Sequence, residues 1–279
     1  MTFVATQFDW QGHRGCRGLM PENTIVGFIE ALNYPVTTLE LDVVISKDGE
    51  VIVSHEPWMS HAICTTADGS DIPESEEQRH NIYSLTLTEI RGYDCGSKGN
   101  PKFPQQQKVA ATKPTLAEVV NAVKLHCKET KRPLPAFNIE LKSHPSAYGI
   151  FMPHPPEFVS KVLAELKFLQ LETHTILQSF DVNVLREIRN QNKDIRISYL
   201  SEQRENFDNA LSTLGFTPQI YSPNYRLVSK AIVSAAHDQG IKVIPWTVNE
   251  SRLFRRLIRL NVDGIITDYP DLIEPIPGK

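Results

Sequence analysis

Ala136-Phe137-Asn138-Ile139-Glu140-Leu141, then Glu157–Leu169, then Thr175–Ser179: a short apolar run, a longer amphipathic stretch, and a second short run. In the middle stretch Val159, Val162, Leu163, Leu166 and Leu169 fall on one face of a helix. The same beat continues towards the C-terminus. Further runs lie at Arg196–Leu200, Gln219–Ser222, Val243–Val248 and Gly264–Thr267, and the amphipathic stretches Val182–Gln191, Arg204–Leu214, Leu227–Gln239 and Ser251–Leu260 separate them. Gln239-Gly240-Ile241-Lys242-Val243 sets a glycine just past a helix and then starts a strand, as a helix C-cap requires. Strands alternating with helices over short linkers predict a parallel sheet.

Working back towards the N-terminus, Phe8–Gly12 and Thr38–Ile45 bring the strand candidates to eight. Eight such units in about 250 residues predict an α/β protein, a (β/α)8 TIM barrel, and the structural rival is an open doubly wound sheet. Residues 57–113 break the rhythm. They are rich in Ser, Thr, Asp, Gly, Gln and Pro, with weak periodicity around Leu85–Ile90, and are expected to form a small insertion over the barrel mouth after the second strand unit. Just before them, Val51–His55 is expected to pair back on Thr38–Ile45 through a turn at Lys47-Asp48-Gly49-Glu50, which returns His55 to the mouth. The whole of 1–279 then reads as a single barrel domain.

Bulk composition narrows the function classes. The 41% hydrophobic and 22% charged content suits a globular protein with a substantial core. A net charge of −4 argues against nucleic acid or an anionic membrane as partner. No window approaches the roughly 18 apolar residues of a membrane span, so no stable membrane insertion is expected. Met1 to Trp10 carry an acid and no base and do not read as a signal peptide, which places the chain in the cytoplasm, or in the periplasm if a leader has been removed. Cys16, Cys64, Cys95 and Cys127 lack any C-x-x-C pairing and read as four free thiols; a bridge between Cys64 and Cys95 is the alternative.

The chemistry collects at predicted strand ends. Glu40 and Asp42, two apart on one strand, share a face, while Leu39, Leu41 and Val43 face the helices. Two carboxylates buried together cost several kcal/mol without compensation. A hard divalent cation supplies it, and oxygen-only ligands favour Mg2+ or Ca2+ over zinc. Glu140 repeats the placement on the next core strand with Lys142 beside it. The competing view is a structural ion network in which these acids pair with Lys142 and Arg14. His13 and Arg14 follow directly on the first strand between Gly12 and Gly15, and Arg14 offers a fork suited to a phosphate. With His55 at the end of a neighbouring strand, two imidazoles can serve as base and acid of an in-line displacement at phosphorus. Pro21-Glu22-Asn23-Thr24 opens a helix running to Asn33; Asn23 or Thr24 is its N-cap, and Glu22 is placed to brace Arg14.

His13-Arg14-Gly15, Pro21-Glu22-Asn23-Thr24, Glu40-x-Asp42, Lys47-Asp48-Gly49, Val51–His55, Glu140-x-Lys142, Gln178-Ser179-Phe180, Trp246-Thr247-Val248 and Gly264–Pro270 follow one another in an order that resembles the glycerophosphodiester phosphodiesterase family. The match runs from about residue 9 to residue 272. The resemblance implies a (β/α)8 barrel with an insertion coinciding with 57–113. It implies a divalent cation held by Glu40, Asp42 and Glu140, acid and base roles for His13 and His55, phosphate contacts from Arg14 and Lys142, and a glycerol pocket lined by Trp246. Two positions depart from the family pattern: Glu56 stands where Asp is usual, and Cys16 where a small residue such as Ala is common. Neither removes a ligand or a proton carrier. The expected reaction is hydrolysis of a small glycerophosphodiester to an alcohol and glycerol 3-phosphate, with water or the substrate's own 2-hydroxyl as nucleophile. The rivals are a phospholipase D-like or lysophospholipid-cleaving enzyme on the same barrel, and a non-catalytic binder of phosphorylated ligands.

Overall fold

The computed structural model describes residues 8–202 and 207–275. Among them run nine strands: β1 (Asp9–Gly12), β2 (Thr38–Ile45), β3 (Val51–Val53), β4 (Ala136–Leu141), β5 (Thr175–Ser179), β6 (Arg196–Ser201), β7 (Ile220–Pro223), β8 (Lys242–Val243) and β9 (Gly264–Thr267). All but β3 are parallel neighbours in the order β8-β7-β6-β5-β4-β2-β1-β9. The two ends of that order meet: Val248 N–H donates to Ile266 O (3.0 Å), Ile266 N–H to Pro245 O (3.0 Å) and Asp263 N–H to Val243 O (2.9 Å). The sheet is therefore a (β/α)8 TIM barrel rather than an open doubly wound sheet. The expected strand Val243–Val248 shrinks to two residues, because Pro245 has no N–H to give the ladder.

The helices are α1 (Ile25–Ala31), α2 (Leu87–Ile90), α3 (Leu116–Thr130), α4 (Pro155–Phe168), α5 (Val182–Gln191), α6 (Phe207–Leu214), α7 (Lys230–Asp238) and α8 (Ser251–Arg259). Residues 204–206 of the expected Arg204–Leu214 helix lie outside the described residues. Thr24 caps α1, accepting from Gly27 N–H. Beyond α7, Gly240 takes the left-handed φ of 72° expected of it. No helix among the described residues is long and apolar enough to cross a membrane.

Strand alternation sorts the side chains. Leu39, Leu41, Val43, Phe137, Ile139 and Leu141 are fully buried against the helices. The inward positions divide into two arcs. Ile176, Ile220, Ile244 and Ile266 form an apolar plug. Across the barrel, Asn138 Nδ2 donates to Gln11 Oε1 (2.8 Å) and Gln178 Oε1 (3.0 Å), and Gln178 Nε2 donates to Glu40 Oε1 (2.8 Å). The polar arc is buried and, apart from Asn138 Oδ1, hydrogen-bonded, and it leads upward to the site.

β3 pairs antiparallel with β2, in register Val43–Val53 to Ile45–Val51, with Gly49 at φ 90° in the turn. Residues 57–113 follow, with α2 and two 3-10 turns (Glu74–Arg79, Ile82–Ser84). Met59, Ile63, Ile72, Ile82 and Ile90 pack on Val44 and Ile52 of the hairpin as a separate apolar cluster. The segment ties to the loops after β1 and β4: Gln106 Nε2 donates to Arg17 O (2.7 Å), and Asn81 Nδ2 to Ile150 O (2.7 Å). The reading of four free thiols is corrected here. Cys64 and Cys95 form a disulfide, while Cys16 and Cys127 are free and buried. Thr65 and Asp94 pair through their backbones (2.8 and 3.2 Å), which brings their neighbours Cys64 and Cys95 together across 31 positions of sequence.

Candidate active site

The chain leaves β1 on His13 and Arg14. Arg14 and Gly15 take left-handed φ values of 51° and 84°, turning the Arg14 N–H onto Glu40 Oε2 at 3.1 Å. A Cβ on Gly12 would meet Gly15 O at 2.3 Å, so only glycine admits this turn. The Arg14 guanidinium lies between carboxylates, NH1 donating to Glu22 Oε1 (2.8 Å) and Nε 3.1 Å from Asp42 Oδ2. The bracing of Arg14 by Glu22 is thus present.

His13 is 8% exposed. Its Nδ1 bonds Asp268 Oδ1 at 2.6 Å, and its Nε2 stands 3.8 Å from Glu40 Oε2. Burial first, and then the Arg17 charge, lower its pKa to about 4 against the pull of Asp268, so the ring is neutral at pH 7. Asp268, immediately past β9, also accepts from Arg17 Nε (2.8 Å) and NH2 (3.0 Å) and from Asn249 Nδ2 (2.7 Å). Burial pushes its carboxyl up, but His13 and Arg17 together hold it far below the carboxylate range.

Asp42 and Glu140 are in-register partners across β2 and β4, and Glu40 lies one inward position along β2. Among the described residues, Glu40, Asp42 and Glu140 form a group whose oxygens lie within 4.8 Å of one another. Lys142 Nζ donates to Glu140 Oε1 (2.6 Å) and stands 3.8 Å from Asp42 Oδ1. The ion network foreseen as the competing view is therefore real, but it does not balance. Glu22, Asp42 and Glu140 share the Arg14 and Lys142 cations, and Glu40 takes hydrogen bonds only from the Arg14 backbone N–H and Gln178, so four carboxylates stand beside two cations. Burial and then repulsion from Asp42 and Glu140 drive the Glu40 carboxyl well above its ordinary range, and burial above all raises Glu140. Burial likewise raises Asp42, but Arg14, His55 and Lys142 overcome it and keep Asp42 ionised. Asp42 Oδ1 is buried without a hydrogen-bond partner. A divalent cation would satisfy that oxygen and cancel the excess charge, so these residues fit one.

His55 follows the β2–β3 hairpin, its Nδ1 bonding Glu56 Oε1 at 2.7 Å. Burial raises the Glu56 carboxyl, but the bond and charge of His55, with Arg14, bring it to about 2. A cavity of about 150 Å3 opens over the site, and His13, Arg14, Glu40, His55, Glu140, Lys142 and Trp246 line it. Asp42 lies beneath. Trp246 Nε1 donates to Ser222 O (2.8 Å), and its ring meets Phe180 edge to face at 5.4 Å.

Three contributors escaped the sequence reading. Asn23 is one of two cap candidates in the sequence; Thr24 is the cap, and Asn23 Nδ2 donates to Asp42 Oδ2 (2.8 Å) while its Oδ1 accepts from Asp42 N–H (3.3 Å). Asp268 lies within the Gly264–Pro270 stretch, where a carboxylate directly past a strand was the available signal. Arg17 lines the cavity with nothing in its local sequence to mark it.

The profile of the glycerophosphoryl diester phosphodiesterase family matches residues 13–272. A glycerophosphodiester phosphodiesterase from Caldanaerobacter subterraneus subsp. tengcongensis is 29% identical over 263 residues, covering 94% of each chain. Human lysophospholipase D is 24% identical over 290 residues, covering 92% of this chain and 82% of that one. Among solved structures, a protein of Silicibacter pomeroyi DSS-3, provisionally described as a glycerophosphoryl diester phosphodiesterase, is 33% identical with a TM-score of 0.85, covering 96% of this chain and 92% of that one. An Oleispira antarctica phosphodiesterase in complex with the product sn-glycerol-3-phosphate shares the fold (TM-score 0.71, 23% identity, coverage 94% and 93%). The chain belongs to the glycerophosphoryl diester phosphodiesterase family of hydrolases.

Proposed function

We propose that this chain, as a single barrel domain with residues 57–113 as its insertion, hydrolyses glycerophosphodiesters to an alcohol and glycerol 3-phosphate with the help of one divalent cation, Mg2+ or Ca2+. The observation that carries the reading is the incompletely compensated acidic trio, with Asp42 Oδ1 lacking a hydrogen bond, beside two carboxylate-braced imidazoles. Glu40, Asp42 and Glu140 would hold the cation. When bound, it supplies Lewis-acid stabilisation of charge on the phosphoryl oxygens.

The chain's own groups do the rest. Arg14 and Lys142 neutralise the phosphate. With Nδ1 on Asp268, neutral His13 presents Nε2 as a proton acceptor, and Asp268 stabilises the imidazolium that forms. Glu56 orients His55, to which donation to the departing alkoxide then falls. Trp246 and Phe180 bound the glycerol arm.

The test is release of choline and glycerol 3-phosphate from glycerophosphocholine. Turnover is expected to vanish with chelator and return with Mg2+ or Ca2+. His13→Ala and His55→Ala are expected to lower turnover by about 10² or more while calorimetry shows cation binding intact. Full activity in either variant removes that histidine's role. Activity confined to long-chain lysolipids favours the lipid-cleaving rival, and none at all favours the binder.

A further inference from the structure

A second cavity, about 340 Å3, adjoins the first, and His55 and Lys142 line both. One carries Trp246 and Phe180; the other lies between the start of the 57–113 segment and the loop after β4, and carries Pro57, Trp58, Phe151 and Met152. A phosphodiester has two arms. With phosphorus between His13 and His55 and the glycerol arm towards Trp246, the leaving alcohol enters the second cavity. We propose that this cavity is a specificity subsite for an uncharged, apolar alcohol; the assignment rests on the hydrolytic reading above.

Depth and charge support it. Met152 is 3% exposed and Trp58 and Phe151 are half-buried; of the polar wall residues, Gln78, His144 and Ser146 are exposed at the rim, and half-buried Ser143 spends its hydroxyl on Asp181 (2.7 Å). Trp58 and Phe151 meet edge to face at 5.3 Å, and Asn81 Nδ2 bonds Ile150 O at 2.7 Å, so the two walls are fixed to one another. No Asp or Glu lines the cavity, and its end towards phosphorus holds the Lys142 ammonium. A cationic head group would find no carboxylate there. An alkyl or aryl group would find an apolar floor.

A homologous series of glycerophospho-n-alkanols tests the subsite, because the leaving alcohols differ in length and hardly in acidity. With the cation supplied, kcat/KM is expected to rise by about threefold per methylene from the ethanol to the hexanol ester, and the hexanol ester is expected to outrun the choline ester. Trp58→Ala and Phe151→Ala are expected to abolish most of that rise. Because each also removes a packing partner, Ala147→Phe serves as a second variant: it fills the cavity and is expected to slow the hexanol ester about tenfold more than the ethanol ester. A flat series, or preference for the choline ester, overturns the subsite and leaves hydrolysis standing. Failure to turn over any ester overturns the hydrolytic reading, and the subsite with it.

Discussion

Asn23 adopts a φ of 55° and grips Asp42 through both ends of its amide. A group that orients a metal-binding carboxylate typically contributes 10- to 100-fold in affinity. Glycine tolerates the same backbone, so Asn23→Gly removes the amide without strain. It is expected to weaken Mg2+ or Ca2+ binding about tenfold by titration calorimetry; unchanged affinity would show that Asp42 is not a ligand. Asp268→Asn probes the opposite side. It keeps shape and deletes the charge that stabilises protonated His13, so turnover is expected to fall by about 10² with cation affinity within about twofold. Equal loss of both would make Asp268 a structural anchor only. His13, His55, Glu40, Asp42 and Glu140 were legible because each sits at the end of a recognisable strand or on its inward face. Asp268 acts on a partner 255 residues away, and no local pattern records that pairing.

The elements most clearly written in the sequence are those with an undisturbed period: β4 to β6 and the helices between them. Those that escaped are where two signals compete. α3 has no counterpart among the expected helices, although Thr115 and Glu118 form a reciprocal capping box and Leu116, Val119, Val120, Val123 and Cys127 make one buried stripe. It follows directly on the polar 57–113 segment, whose composition masked the restart of the beat. β8 failed for the opposite reason: an apolar run promised a longer strand than Pro245 permits. The α3 cap gives a direct check. Thr115→Ala loses the bonds to Glu118 (2.8 Å from the Thr115 N–H side of the box, 3.2 Å from its hydroxyl side) only in part, since the backbone bond survives. A loss of about 1 kcal/mol in urea unfolding is expected, and no loss would mean that α3 is held by its buried stripe alone.

At the scale of the whole molecule, the barrel brings charges together that would separate if it opened, so stability, pH and cation are linked. Glu40 and Glu140 have carboxyls raised from 4.5, by burial first. A raised native pKa contributes stability that is complete below the unfolded value and lost as pH rises; the cation-free barrel therefore weakens from about pH 4.5 upward. His13 works against this over part of the range. Its pKa falls from 6.5 to about 4, so its contribution is full above 6.5 and lost as pH drops towards 4. Above pH 6.5 the His13 contribution is complete and the penalty of ionised Glu40 and Glu140 remains, and there the cation has most to offset. At about 100 times its dissociation constant, Mg2+ or Ca2+ is expected to stabilise by about 2.7 kcal/mol, a Tm gain of about 4–5 °C for a chain of this length. Near pH 4, where Glu40 and Glu140 hold protons, most of the gain is expected to disappear. Thermal melts with chelator or cation across that range read the effect directly. An equal gain at acid and neutral pH, or none at either, would show that the trio neither binds the ion nor carries the strain assigned to it.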